Sequence, residues 1–153
     1  MSPTRPLLVL LAAAAISACS AQATPGYGWS FQQDEYDGAK LAYGAPNSDD
    51  VLLMMSCAAH SGQVQLSAVT ERPHPELVLA SGRAKDRFAG EGGESELGGL
   101  LLEARATPQA RSLEGFAKTG KLAITAYGET VSLAATPEER PGVTQFFKTC
   151  NRA

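Results

Sequence analysis

The sequence predicts a mainly β fold, an antiparallel β-sandwich or partly closed barrel with two short helices, of which the C-terminal one packs on the sheet. Short segments in which apolar and polar residues alternate recur along the chain, and this is the pattern of strands with one buried face. Turn residues separate these segments, and the 153 residues include 15 Gly and 9 Pro. Only two segments show the 3.6-residue apolar period of a helix.

Strands account for the first half of the predicted domain. Tyr27, Trp29 and Phe31 alternate, which places three aromatic rings on one strand face, either as a binding platform or, as we favour, as the edge of the core. Asp37-Gly38 predicts a hairpin turn. The next strands are predicted at residues 40–44, at residues 51–57 as a continuous apolar run covered on both faces, and at residues 63–68 as a half-exposed partner.

The second half mixes strands with the two helices. Strands are predicted at residues 77–80, 83–88, 100–106, 122–126 and 131–135, and the Gly-rich acidic segment 91–99 predicts a loop. Thr107 and Pro108 predict the N-cap and first residue of a helix that ends at Gly120. After a polar break at residues 137–142, apolar side chains at i, i+3, i+4 and i+7 predict the last helix, on the face formed by Val143, Phe146, Phe147 and Cys150.

The first residues have the layout of a secretory signal peptide. Arg5 precedes an apolar run over residues 7–16, which is too short to span a bilayer. Ile16-Ser17-Ala18-Cys19 resembles a bacterial lipobox, which predicts cleavage after residue 18 and acylation of Cys19, with palmitate among its acyl groups. The alternative is an ordinary signal peptidase site at residues 21–23, cleaved after residue 23.

Lipidation is the favoured hypothesis, and it defines the organisation of the chain. Residues 1–18 are then the signal peptide, residues 19–26 a tether and residues 27–153 a single β-rich domain. The acyl chains would hold the protein at a membrane on the periplasmic side. Ser20, rather than Asp, follows the Cys, which favours the outer membrane, and the alternative is a soluble periplasmic protein.

Cys57 and Cys150 remain after either cleavage, and export to an oxidising compartment predicts that they pair. Cys57 shares a strand face with Leu53 and Met55, and Cys150 lies on the apolar face of the last helix, so both thiols point towards the core. A bond that closes so long a loop would contribute on the order of 4 kcal/mol to the free energy of unfolding. The alternative, a catalytic or metal-binding cysteine, lacks a CxxC motif or a histidine at ligand spacing.

Composition and motifs favour neither catalysis nor nucleic-acid binding. The net charge of −3 leaves no excess of cations to neutralise phosphates. His60 adjoins Ser61, but neighbours in an extended chain point in opposite directions. His74 with Glu71 and Glu76 is a candidate metal site, for which a solvated loop is the favoured interpretation. We therefore expect no catalytic residue, no metal and no cofactor.

Arg83, Lys85 and Arg87 are the best candidates for contact with a partner, because a period of two places all three on one strand face. The functional hypothesis is binding of an envelope protein or an anionic surface component. The favoured structural alternative is a strand protected from edge pairing by its charges, which the nearby acidic loop would neutralise.

The order of the segments resembles that of small exported bacterial proteins. The segment LLMMSC at residues 52–57 precedes VQL at 64–66, and SLEGFAKTGKLAITAYGETVSLAA at 112–135 precedes GVTQFFKTC at 142–150. This order is similar to that of the single-disulfide β-sandwich proteins of the invasion-associated locus B type and of the type VI secretion-associated TagO-like group. The resemblance implies an envelope accessory protein with a β-sandwich fold, no active site and Cys57 and Cys150 as its only shared functional residues.

A second resemblance concerns the segment VLASG at residues 78–82. It is similar to the Ser-Gly segment of the membrane-bound c-type lysozyme inhibitors, which implies a loop that inserts Ser81 into the enzyme's cleft. Phe88-Ala89-Gly90 stands where that family has an aromatic residue and Lys-Gly. We therefore expect a non-enzymatic envelope lipoprotein that acts as a binding or accessory module, with an inhibitor of a secreted hydrolase such as lysozyme as the alternative.

Overall fold

The computed structural model describes residues 24–35, 38–94, 99–126 and 129–151. These residues form nine strands and two helices. The strands are β1 (Gly28–Asp34), β2 (Gly38–Gly44), β3 (Val51–Cys57), β4 (Val64–Thr70), β5 (Glu76–Ser81), β6 (Ala84–Glu94), β7 (Leu100–Ala106), β8 (Ala123–Ala126) and β9 (Glu129–Ser132). The helices are α1 (Arg111–Thr119), between β7 and β8, and α2 (Arg140–Cys150), after β9.

The strands form one antiparallel sheet that curls into a half-barrel, and the mainly β fold class predicted from the sequence is thereby confirmed. The order across the sheet is β1-β2-β3-β4-β7-β6-β5-β8-β9. Strands β1 to β4 are therefore a simple meander. The next three strands are inserted in reverse, because the chain leaves β4, crosses to β5 and returns through β6 to β7, which pairs with β4.

The strand register aligns the alternating apolar residues of neighbouring strands into rows. One row runs Leu41, Met55, Leu66, Ala104 across four adjacent strands, and all four side chains are buried. Directly opposed residues of an antiparallel pair lie on the same face of the sheet, so this row and its neighbours form one apolar inner face. The helices cover that face, with Leu113, Phe116, Val143, Phe146 and Phe147 joining the same core cluster.

The aromatic face of β1 is part of this core. The Trp29 ring lies 4.8 Å from the ring of Phe116 and 5.3 Å from that of Tyr43, and its Nε1–H donates to the carbonyl of Leu133 at 2.6 Å. Burial raises the pKa of the Tyr43 hydroxyl. Tyr27 and Phe31 pack against the same cluster. The favoured interpretation of these aromatic residues, the edge of the core, is confirmed.

Helix α1 begins three residues later than the sequence predicts. Thr107 and Pro108 lie in the turn before it, and the residue at its N-cap, Ala110, makes no side-chain capping bond. Asp86 on β6 supplies the cap instead, since its carboxylate accepts the Ser112 N–H at 2.6 Å and the Ser112 hydroxyl at 2.7 Å. At the other end Gly120 adopts the left-handed conformation expected of a helix C′ residue, with φ +68°.

Three further predictions need correction. β6 continues to Glu94, through half of the segment expected to be an acidic loop. β3 is buried on one face only, since Leu53, Met55 and Cys57 are buried while the residues between them are half-buried. α2 begins inside the predicted polar break, where Pro141 is accommodated in the first turn because no helical partner is needed there for its missing N–H.

The predicted disulfide between Cys57 and Cys150 is present and joins the end of β3 to the end of α2, with the two Cα atoms 5.7 Å apart. The loop after β3 also binds the last carbonyls of α2. The N–H of His60 donates to the carbonyl of Thr149 at 2.8 Å, and the N–H of Gly62 donates to that of Cys150 at 3.0 Å. These bonds satisfy acceptors that a helix leaves free at its C-terminus.

The signal peptide and most of the tether, residues 1–23, lie outside the described residues. Acylation of Cys19 and both cleavage hypotheses therefore stay predictions. Neither of the two described helices has the length and apolar character needed to cross a bilayer.

Loss of the disulfide should destabilise the domain strongly. For the double variant Cys57→Ala, Cys150→Ala we expect the free energy of unfolding to fall by about 2–5 kcal/mol, because the unfolded chain regains its conformational freedom and α2 loses its attachment. Urea unfolding followed by Trp29 fluorescence measures this. Reduction of the unchanged protein should give the same loss, and equal midpoints for the oxidised and reduced forms would contradict the prediction.

The Asp86 cap can be tested by substitution. Asp86→Ala should lower the free energy of unfolding by about 0.5–2 kcal/mol, because the first turn of α1 loses its acceptor. Asp86→Asn keeps a side-chain oxygen and should recover most of that stability in the same urea titration. Equal losses for the two variants would show that the cap is not the cause.

Candidate binding groove on the outer face of the sheet

The outer face of the sheet, opposite the helices, carries a polar groove made of two connected depressions. Their volumes are about 490 Å³ and about 530 Å³. Both are lined by Gln65 and Arg105, so they form one continuous feature across the middle of the sheet. We call it the outer-face groove.

The first depression lies over a polar row that crosses four strands. Lys40 is opposite Ser56, Ser56 is opposite Gln65, and Gln65 is opposite Arg105. This row alternates with the buried row that contains Leu41, so the same register that builds the core aligns these polar side chains on the other face. The depression also reaches Cys57 at the disulfide.

The second depression contains both signs of charge. Arg87 and Arg105 line it together with Glu91 and Glu103. The two glutamates lie directly opposite each other in the β6–β7 pair, an arrangement of like charges that is unfavourable in a sheet. Gln65 reduces the repulsion between the two carboxylates, because its Nε2–H donates to Glu103 Oε1 at 2.8 Å.

Two of the three cations predicted as partner contacts lie together on β6. Lys85 and Arg87 are exposed on the outer face, whereas Arg83 lies in the turn before the strand, also exposed. Arg87 pairs with the carboxylate of Glu76 on the neighbouring β5, rather than with the acidic segment that the sequence analysis expected to neutralise it.

Arg105 is the groove residue that sequence reasoning missed. The alternation over residues 100–106 places it on the outward face, but only the pairing of β7 with β4 sets it beside Gln65. Within the described residues, the side chains of Arg83, Lys85 and Arg105 make no ion pair or hydrogen bond with another side chain. These three cations are therefore available to an anionic group from outside.

The other polar residues singled out in the sequence have local structural contacts. His60 Nδ1 lies 3.2 Å from the carbonyl of Asn151, whereas the hydroxyl of the adjacent Ser61 donates to the carbonyl of Gln63 at 3.0 Å. His74 Nδ1 lies 2.7 Å from the carbonyl of Glu76. In the described part of the chain, no three His, Cys, Asp or Glu side chains are close enough to hold a metal ion.

Ser81 does not have the exposure that the lysozyme-inhibitor resemblance implies. Its side chain is only 6% exposed, and its hydroxyl donates to the carbonyl of Lys121 at 2.7 Å. A Cβ at Gly115 of α1 would approach the Ser81 hydroxyl to 2.8 Å, which shows how tightly the helix covers this residue. Ser81 therefore stabilises the contact between β5 and α1.

Comparison of the chain with known protein families, with curated proteins and with solved structures finds no match. The two resemblances noted in the sequence are not tested by these comparisons.

Proposed function

We propose that this protein is a lipid-anchored accessory protein of the bacterial cell envelope that binds an acidic segment of a partner protein along the outer-face groove. The observation that carries the proposal is the groove itself, in which Arg105 stands between two depressions and has no side-chain partner among the described residues. The disulfide is compatible with export to an oxidising compartment.

The placement of charge favours an acidic partner. Lys85 precedes the groove residue Arg87 on the outer face of β6, Arg83 lies in the turn before that strand, and Arg105 lines both depressions of the groove. Exposed cations on neighbouring strands attract carboxylates and raise the rate of encounter with an acidic surface. These three cations are exposed to water. Their desolvation cost is therefore small, because none of them is buried without a counterion.

The partner is a protein segment rather than a uniformly anionic polymer. Glu91 and Glu103 lie at one end of the groove, and they would repel a chain that carries a negative charge at every repeat. A peptide can place a carboxylate at Arg105 and a hydrogen-bond donor or a cation at the glutamates. Such mixed complementarity gives specificity through both attraction and repulsion.

Charge reversal in the groove tests this function. A photo-cross-linking amino acid at Gln63, an exposed residue of the groove, should capture a defined partner in intact cells, and the same amino acid at Thr144 on α2 should not. Adding Lys85→Glu and Arg105→Glu should weaken capture about tenfold, because each exposed charge contact is worth about 0.7 kcal/mol.

Lys148→Glu makes the same change of charge on α2, on the other side of the sheet, and should leave capture unchanged. Thermal unfolding of each variant checks that the fold is retained. Capture that is equally strong with the double charge reversal, or equally reduced by Lys148→Glu, would contradict binding at the groove.

Lipid anchoring is tested at Cys19. Cys19→Ser removes the only thiol that the lipobox could acylate, so we expect the protein to move from the membrane fraction to the soluble periplasmic fraction and to lose the mass of its acyl groups. Fractionation and intact-mass spectrometry measure the two effects. An unchanged distribution and mass would favour ordinary cleavage after residue 23.

A further inference from the structure

A separate cavity opens at one end of the half-barrel, between the two arms of the curled sheet. It has a volume of about 240 Å³ and is lined by residues of β3, β4, β5, β7, β8 and β9 and of the loop between β4 and β5. Its apolar walls are Leu52, Val69, Leu77, Leu102, Ile124 and Val131, and the polar residues Thr70, Glu71, His74, Glu76 and Thr125 complete the lining. We call it the end cavity.

The end cavity is a continuation of the core to the surface. Leu77, Leu102 and Ile124 are at most 4% exposed and belong to the main core cluster. Val69, at the opening, is 43% exposed and is the only large apolar side chain among the described residues with such exposure. The apolar side chains of this pocket run from an exposed valine to core leucines, and they offer an aliphatic chain a continuous apolar wall.

The N-terminal tether enters the domain at this same end. Gly28, the first residue of β1, is opposite Gly44, and Gly44 is opposite Val51, the neighbour of Leu52. Strands are spaced about 4.8 Å apart, so β4 with Val69 lies roughly 14 Å along the sheet from β1. The five peptide units that join Cys19 to Thr24 can span at most about 18 Å. An acyl anchor on Cys19 would thus keep the end cavity within reach of the bilayer surface.

We propose that the end cavity takes up one acyl chain of a bilayer phospholipid. This inference rests on the lipid anchoring proposed above, because the anchor is what would bring the cavity to the membrane. In the cavity the acyl chain would exchange its contacts with other lipid chains for contacts with the apolar walls. Its transfer from the bilayer to the protein would therefore cost little free energy. The outer-face groove lies farther along β4, around Gln65 rather than Val69, and stays accessible to the protein partner.

The isoleucine content of the chain offers a direct probe. Ile124 lines the end cavity, and the sequence has isoleucine elsewhere only at Ile16, in the predicted signal peptide. A full chain with Cys19→Ser, labelled with ¹³C at isoleucine δ1 methyl groups, therefore reports on the cavity through the methyl signal of Ile124. The unacylated variant makes this measurement independent of whether Cys19 is lipidated in cells, and an excess of vesicles takes the place of the anchor in bringing the cavity to the bilayer.

The probe lipid is a phosphatidylethanolamine vesicle that contains phosphatidylcholine with a nitroxide on its acyl chain, compared with the same vesicle without nitroxide. We expect strong paramagnetic broadening of the Ile124 methyl signal. Val69→Asp, which places a charge at the opening, should reduce the broadening at least tenfold. Thr144→Asp, the matched change on α2, should leave it unchanged, and Trp29 fluorescence verifies that both variants are folded.

Absence of broadening at Ile124 would overturn the proposal. Broadening that Val69→Asp does not reduce would also overturn it, because it would show contact that does not involve the cavity. A nitroxide-labelled stearate that broadens Ile124 while the vesicle lipid does not would identify a site for free fatty acids instead. Failure of any of these tests would overturn the acyl-chain site alone. Binding at the groove is tested separately by cross-linking, and the lipid anchor is tested separately by fractionation.

Discussion

The bond between Cys57 and Cys150 is the constraint on which the arrangement of this domain depends. It fastens the last helix to the end of β3, and backbone bonds from the loop after β3 complete the attachment at Thr149 and Cys150. With α2 held there, Phe146 and Phe147 enter the core beside Phe116 of α1. The helices thus cover the inner face of a sheet that does not close on itself, and the apolar face of the open sheet is buried without a second sheet.

This architecture gives the two candidate surfaces different physical characters. The outer face is polar because its residues alternate with the core, and charges stay solvated there at little cost. The end cavity has apolar walls because the half-barrel is open at the end where the sheet's core reaches solvent. One surface suits an acidic protein segment and the other an aliphatic chain. Their separation on the fold allows an anchored protein to use both at the same time.

Local patterns in the sequence predicted much of the fold. The period-two alternation identified most of the strands that the structure shows, because a strand with one buried face must alternate, whereas β3 was predicted from a continuous apolar run. Export and two cysteines predicted the disulfide, and Gly120 predicted the end of α1. The errors concern the boundaries of elements and the burial of β3. Thr107 and Pro108 have the residue types of a helix start, yet the helix begins at Arg111, where a carboxylate from a distant strand is available to cap it.

The sequence alone determined the strands, their buried faces, the pairing of the cysteines and the exposure of Lys85 and Arg87, because each of these depends on periodicity or on residue chemistry within a few positions. Only the tertiary structure decided which strands are neighbours. The pairing of β4 with β7 joins residues that are 30 to 42 positions apart in the chain, and no local pattern specifies it. That pairing sets Arg105 beside Gln65 and creates the groove, and the curl of the whole sheet opens the end cavity. Both sites therefore arise from non-local contacts, whose register is selected by the burial of apolar rows on the opposite face.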